Sequence, residues 1–208
     1  FFCYLIGSVS GSMVIGKIYK FDVLSSGSKS AGATNTLRVS GPFPALLVLL
    51  IDVLKGYIAC ALVPSYISYF NLFYADSSKL LLISIVCGMA AVIGHIFPVF
   101  FNFKGGKGIG TMVGMLIYIF PLGLLFSFII WIFILVFTGY VSLASIIGCC
   151  FLPINVLLLL NSQDEFLLLL NVTIVFSIFI VITHRENILR LIRGTENRFE
   201  KVMLFKKG

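Results

Sequence analysis

The sequence predicts an all-α, polytopic integral membrane protein with about seven transmembrane helices, the fourth of them short. Three observations carry this. Apolar residues fill 60% of the 208 positions and charged residues 11%, against about 45–50% and about 25% in a soluble domain; mean hydropathy is +1.12. The apolar residues gather into runs close to the ~20 residues that cross a bilayer at about 1.5 Å per residue. The basic residues fall almost entirely on one side once those runs are alternated across the membrane.

The runs lie near 1–19, 43–63, 80–100, 109–119, 121–138, 142–160 and 166–183. The first opens at Phe1 rather than Met, so residues before it are expected. Lys17 and Lys20 follow its apolar part instead of preceding it, and no small-x-small cleavage site comes after, so it is read as a retained span. Gly7, Gly11, Ser8, Ser12 and Gly16 recur at four-residue spacing, the pattern that lets helices approach closely. The second run carries Asp52 and Lys55, three apart on one helical face. Charges at that depth are costly, so the two are expected to pair within the helix or to face a polar interior. The stretch 109–138 is too long for one helix and contains Pro121, which divides it into a short fourth and a full fifth span. The last two runs are uninterrupted by charge.

Seven spans put residues 20–42, 101–108, 139–141 and 184–208 on one side. On or next to that side lie 13 of the 15 basic residues, Lys17 just outside these ranges, with Lys79 opposite and Lys55 inside a span. Six spans would set the basic tail against the other basic loops. Positive charge marks the cytoplasmic face, so the N-terminus is expected outside and the C-terminus inside. Residues 1–208 are expected to form a single membrane domain. The net charge of +7 is thereby a topology signal and implies no nucleic acid. Five cysteines sit in apolar runs without C-x-x-C spacing and read as packing residues, not as a metal or redox site.

Chemistry concentrates in three stretches on the basic side. The first runs from Ser25 to Arg38 and contains Ser28, Thr34, Asn35 and Arg38; on a helix Thr34 and Arg38 share a face, and Arg suits bidentate phosphate contact. The second joins His95 to Lys104, Gly105, Gly106, Lys107 and Gly108. Glycines free backbone N–H groups to turn toward an anion, the next helix offers its N-terminus, and the lysines add charge. G-x-x-x-x-G-K-[ST] does not match, so ATP hydrolysis is not implied. A basic loop resting on anionic headgroups explains the same residues. The third holds His184 and Asn187, three apart, with Glu196 downstream. His184 suits proton transfer, or else is a boundary residue beside basic anchors. His95 reads as a structural hydrogen-bonding residue. The acids form no cluster for metal-assisted hydrolysis, so no metal is expected. The three stretches are expected to meet in one cationic pocket for phosphate esters. A small organic-phosphate transporter or channel is the alternative, but it calls for repeated halves with matching broken helices, and only one short segment is visible.

Taken together the motifs resemble a known family. Gly32-Ala33-Thr34-Asn35 with Leu37-Arg38, then Asp52-x-x-Lys55-Gly56, is similar to the first motif of the bacterial acyl-phosphate:glycerol-3-phosphate acyltransferases (PlsY). Gly94-His95-x-Phe97-Pro98 with Phe103-Lys104-Gly105-Gly106-Lys107-Gly108 resembles the second. Tyr140 to Ser145, including Ser142, resembles the segment between the fifth and sixth helices. His184-Arg185-Glu186-Asn187, with Arg190 and Gly194-Thr195-Glu196, resembles the third. The family commonly reads Gly-Ser-Gly-Asn where this chain has Gly27-Ser28-Lys29-Ser30.

The resemblance implies a seven-helix enzyme of the bacterial inner membrane, with its site toward the cytoplasm. It would move a fatty acyl group from acyl phosphate to the 1-hydroxyl of sn-glycerol 3-phosphate, giving lysophosphatidic acid and phosphate for phospholipid synthesis. A soluble phosphate acyltransferase (PlsX) would supply the donor, and no cofactor is implied. Arg38, Lys107 and His184 are the expected catalytic residues. Ser28, Thr34, Asn35, Arg38, Lys104, the Gly105–Gly108 backbone, His184 and Asn187 are expected to hold phosphate and glycerol. Asp52, Lys55, His95, Ser142 and Glu196 are expected to support them.

Overall fold

The computed structural model describes residues 1–69, 77–161 and 164–204, and among them it is all-helical. Six segments are long and apolar enough to cross a membrane: Phe2–Tyr19, Pro42–Tyr66, Lys79–Phe101, Pro121–Thr138, Val141–Leu159 and Phe166–Thr183. Ile109–Ile119 is a shorter apolar helix. These are the seven predicted segments, short fourth included. The chain divides into two compact units, Phe1–Phe120 and Pro121–Gly208.

In the first unit, α1 (Phe2–Ser8) and α2 (Gly11–Tyr19) make up the first span, which the sequence suggests as one continuous helix. It is broken: Val9 and Ser10 are extended. A short α3 (Ala33–Ser40) precedes α4 (Pro42–Tyr57), which continues through a π-turn (Ile58–Leu62) into α5 (Val63–Tyr69). α6 (Ser77–Ile96) lies against α1, and a Cβ on Gly7 would collide with the Ala91 backbone while one on Gly94 would collide with the Tyr4 carbonyl. The small-residue stripe is therefore a backbone-to-backbone seam, as expected. A glycine-rich loop leads to α7 (Ile109–Ile119), whose 11 residues reach only about half-way across the hydrocarbon. It stops at Phe120, where the backbone leaves the helical region ahead of Pro121.

The second unit opens with α8 (Pro121–Thr138), with Leu122, Leu125, Phe126, Ile129 and Phe133 exposed on its surface. In water such a face would aggregate; facing lipid it is solvated. The sixth span bends at Phe151 into α9 (Val141–Cys150) and α10 (Leu152–Leu159), with Pro153 in the first turn of α10, where its missing N–H is harmless. α11 (Phe166–Thr183) ends at His184, and the amphipathic α12 (Arg185–Ile192) follows.

Candidate functional site

The first unit brings two of the three chemical stretches together. In the first stretch, Asn35 turns its buried amide back on the loop before it. Nδ2 donates to the Val23 carbonyl at 2.8 Å and the Ser26 carbonyl at 3.0 Å, while Oδ1 accepts from the Ser28 N–H at 2.8 Å. Three backbone groups far from regular structure are thus satisfied by one side chain. The Asn35 amide shapes the loop; Thr34 beside it is exposed and Arg38, one turn on, is half-buried. Lys29 sits in the left-handed region (φ 55°), at the position where the resembling family has glycine.

The Ala31 N–H of this loop donates to the Gly105 carbonyl at 3.4 Å, tying it to the glycine-rich loop. There the Gly106 N–H donates to the His95 carbonyl at 3.1 Å, and Gly108 (φ 91°) caps α7. A Cβ on Gly106 would strike the Ala31 carbonyl and His95 Nε2. The chain fits only because the side chain is missing. Lys104 is exposed and Lys107 half-buried at the mouth of the α7 N-terminus, whose first N–H groups have no intrahelical acceptor. A helix N-terminus preceded by two lysines carries the charge and the donors that suit an anion.

Beneath the loop lies a buried charge cluster. Lys55 Nζ is 2.8 Å from Asp52 Oδ1, as the i,i+3 spacing predicts, and Asp52 Oδ1 is 3.3 Å from His95 Nδ1. The Asp52 contact is one of charge rather than an aligned hydrogen bond. Lys55 Nζ also bonds His95 Nδ1 at 2.9 Å and the Val9 carbonyl at 2.8 Å. That His95 and a carbonyl of the broken first span join the pair had no signal in the local sequence, since the partners come from different helices.

The third stretch lies in the second unit. His184 Nδ1 contacts the Ile180 carbonyl at 2.9 Å; a carbonyl only accepts, so Nδ1 carries hydrogen, and in the neutral ring the lone pair sits on Nε2. Glu196 is buried and organises its neighbours: Oε1 accepts from Asn187 Nδ2 at 2.8 Å and Ser142 Oγ at 3.0 Å, and Oε2 accepts from Arg190 Nε at 2.7 Å. Burial pushes the Glu196 carboxyl up, but these three hydrogen bonds and the Arg190 charge outweigh it and hold it below the usual glutamate range. Arg190 completes this network; the sequence offered its place one turn beyond Asn187 on α12 and its presence in the third motif, but no role for it. Among the described residues no three His, Cys, Asp or Glu side chains are grouped to hold a metal ion.

A family model described as glycerol-3-phosphate acyltransferase matches residues 1–194. The chain is 40% identical over 196 residues to glycerol-3-phosphate acyltransferase 2 of Bacillus anthracis, covering 94% of each chain. It is 42% identical over 200 residues to the glycerol-3-phosphate acyltransferase of Finegoldia magna, covering 96% of this chain and 93% of that one. Among solved structures it resembles PlsY, an integral membrane glycerol 3-phosphate acyltransferase, in its glycerol 3-phosphate form. The TM-score is 0.80 and the identity 37%, over 95% of this chain and 92% of that one. The lysophosphatidic acid form of the same protein gives 0.78 and 36%, over 95% and 91%.

Proposed function

The chain belongs to the glycerol-3-phosphate acyltransferase family, and we propose on that footing that it moves a fatty acyl group from acyl phosphate to the 1-hydroxyl of sn-glycerol 3-phosphate. The products are lysophosphatidic acid and inorganic phosphate. The observation that carries this reading is the bond from Ala31 to Gly105, which sets the Ser28–Arg38 stretch against the glycine-rich loop. That bond joins a stretch carrying hydroxyls and a guanidinium to a loop carrying two ammonium groups and free backbone N–H groups, and together these are the donor types a phosphate monoester needs.

The glycerol oxygen attacks the acyl carbonyl carbon, a new C–O ester bond forms, and the bond from that carbon to the phosphate oxygen breaks. Acyl phosphate is already activated, so no covalent acyl-enzyme is required. Positioning and charge stabilisation supply the acceleration. Arg38, Lys104 and Lys107 neutralise phosphate, and Ser28, Thr34 and the Gly105–Gly108 backbone donate hydrogen bonds to it. Asn35 holds the first loop in shape. His184 and Asn187 orient glycerol 3-phosphate, and His184 Nε2 takes the hydroxyl proton. Asn187 is held in turn by Glu196, which Ser142 and Arg190 secure.

The same reading puts the protein in the bacterial inner membrane, with the basic stretches facing the cytoplasm, the N-terminus outside and the C-terminus inside. The acyl chain lies in membrane lipid, and a soluble phosphate acyltransferase of the PlsX type supplies the donor. The test is phosphate release by purified protein in detergent given palmitoyl phosphate and glycerol 3-phosphate. Release that requires both substrates, with no turnover of acyl-CoA or acyl-carrier-protein thioester, is expected. Turnover of a thioester without acyl phosphate would overturn the choice of donor.

A further inference from the structure

The buried cluster beneath the glycine-rich loop has a defined protonation pattern. Lys55 Nζ has three neighbours within 2.9 Å: the Val9 carbonyl, Asp52 Oδ1 and His95 Nδ1. An ammonium has three hydrogens and no lone pair, so His95 Nδ1 must accept. Its hydrogen is then on Nε2. The resulting set of ammonium, carboxylate and neutral imidazole carries no net charge. An imidazolium beside the ammonium would leave one positive charge uncompensated, and a free amine beside a neutral imidazole one negative charge, at sites 3–5% exposed within membrane-spanning helices; both are expensive there, and an imidazolium beside a free amine, though neutral overall, puts the proton on the weaker base.

The Nε2–H so defined points at the loop. A Cβ on Gly106 would collide both with this nitrogen and with the Ala31 carbonyl oxygen. His95 is 4% exposed, and among the described residues Nε2 makes no hydrogen bond. Nε2 itself is not among the fully buried side-chain atoms that lack a partner, so the tip of an otherwise buried ring stays open, and its N–H calls for an acceptor that the protein does not supply, from water or from a ligand.

We propose that His95 is a phosphate-binding residue: its Nε2–H donates to an oxygen of the substrate phosphate seated on the Gly105–Gly108 loop, and Asp52 and Lys55 are positioning residues that lock the ring in the Nε2-protonated form. The inference rests on the reading of that loop as a phosphate seat. It also goes further than the expectation that His95 is structural.

The chain has only two histidines, and the hydrogen bonds give them opposite neutral tautomers, Nε2–H for His95 and Nδ1–H for His184. Solution NMR of the full chain in detergent, labelled with 15N-histidine, resolves the two forms. Inorganic phosphate is then titrated in. The expected result is a His95 ring in the Nε2–H form whose Nε2–H resonance moves on phosphate addition. A His95 ring in the Nδ1–H or imidazolium form, or one indifferent to phosphate, would overturn the proposal.

Kinetics supply a second readout. His95→Phe keeps a ring without a donor and should raise KM for a phosphate substrate, or Ki for inorganic phosphate, at least tenfold. His95→Gln, whose amide restores an N–H near Nε2, should recover most of that loss. Equal values for wild type and a folded His95→Phe would also overturn the proposal. Lys107→Ala separates the two levels of argument. If it weakens phosphate inhibition while His95 does not respond, only this inference fails. If neither responds, the loop is not the phosphate seat.

Discussion

Lys55 donates a hydrogen bond to the backbone carbonyl of Val9 at 2.8 Å, from the middle of the second span to the break in the first. A break inside hydrocarbon strips backbone groups of their helical partners, at several kcal/mol each. The ammonium answers one of those groups while neutralising Asp52. Lys55→Met should therefore destabilise the protein by about 3–5 kcal/mol, since it leaves both a carbonyl and a carboxylate unpaired. Adding Asp52→Asn should recover part of this, because the stranded charge goes with it. Denaturation of both variants in detergent is the check; a double variant less stable than Lys55→Met alone would refute the account.

Glu196 sets a pH dependence whose sign follows from its hydrogen bonds. Its folded value lies below the ordinary 4.5. A carboxylate of this kind stabilises the fold above its unfolded value, and that contribution is lost as pH falls through the folded one. At pH 7 wild type should melt above Glu196→Gln, where Arg190 loses the closer and more buried of its two carboxylate partners. The difference should shrink as the solution is acidified below about 4.5. Melting curves across that range test it, and a difference that stays constant under acid would mean that the carboxylate charge is not what stabilises.

Lys29 adopts φ 55°, a conformation costing an L-residue about 1 kcal/mol that glycine adopts freely. Its neighbours Ser28 and Ser26 are anchored by Asn35, so the backbone has no room to relax. Lys29→Gly should raise the melting temperature or leave it level, with activity retained. Lys29→Val, a branched residue at the same angle, should lower both. The pair of melting temperatures decides.

How much of this was visible beforehand differs from element to element. The apolar runs followed from hydropathy, Pro121 marked the boundary between α7 and α8, and the one-sided basic charge chose seven spans over six. The break at Val9 followed from none of these. Gly7, Ser8, Ser10 and Gly11 around it make poor helix, yet Gly16 and Ser12 lie in intact helix, so composition does not single it out. What holds it open is a lysine 46 positions away. The same holds for the site. Residue types advertised anion chemistry in three stretches, and the Asp52–Lys55 spacing advertised a pair. Asn35 read as a substrate donor because its role depends on Val23 and Ser26 folding back onto it, which no spacing rule encodes.

Arg38 and Lys107 are the groups assigned to substrate charge, and their loss should be expressed in kcat/KM more than in folding. Arg38→Ala and Lys107→Ala should each cut kcat/KM by two orders of magnitude or more. Arg38→Lys should recover only part, since a point charge cannot repeat a bidentate contact. A loss under tenfold, about 1.4 kcal/mol, would mean that other groups carry the phosphate charge.

His184 carries the last assignment, and its hydrogen bond makes that assignment specific. With Nδ1 donating to the Ile180 carbonyl, a proton taken from glycerol 3-phosphate must arrive at Nε2. His184→Gln preserves a hydrogen-bonding side chain of similar reach but accepts no proton near neutral pH. If His184 is the base, this variant should bind glycerol 3-phosphate within a few-fold of wild type while turnover falls by about 10²–10⁴. The leaving phosphate is the competing acceptor, and it is delivered by the donor itself. Should it take the proton, His184→Gln would keep near-normal turnover, and single-turnover phosphate release across a pH series would show no group ionising on the enzyme. Binding measured beside turnover separates the two, because a histidine that only orients substrate would lose affinity and rate together.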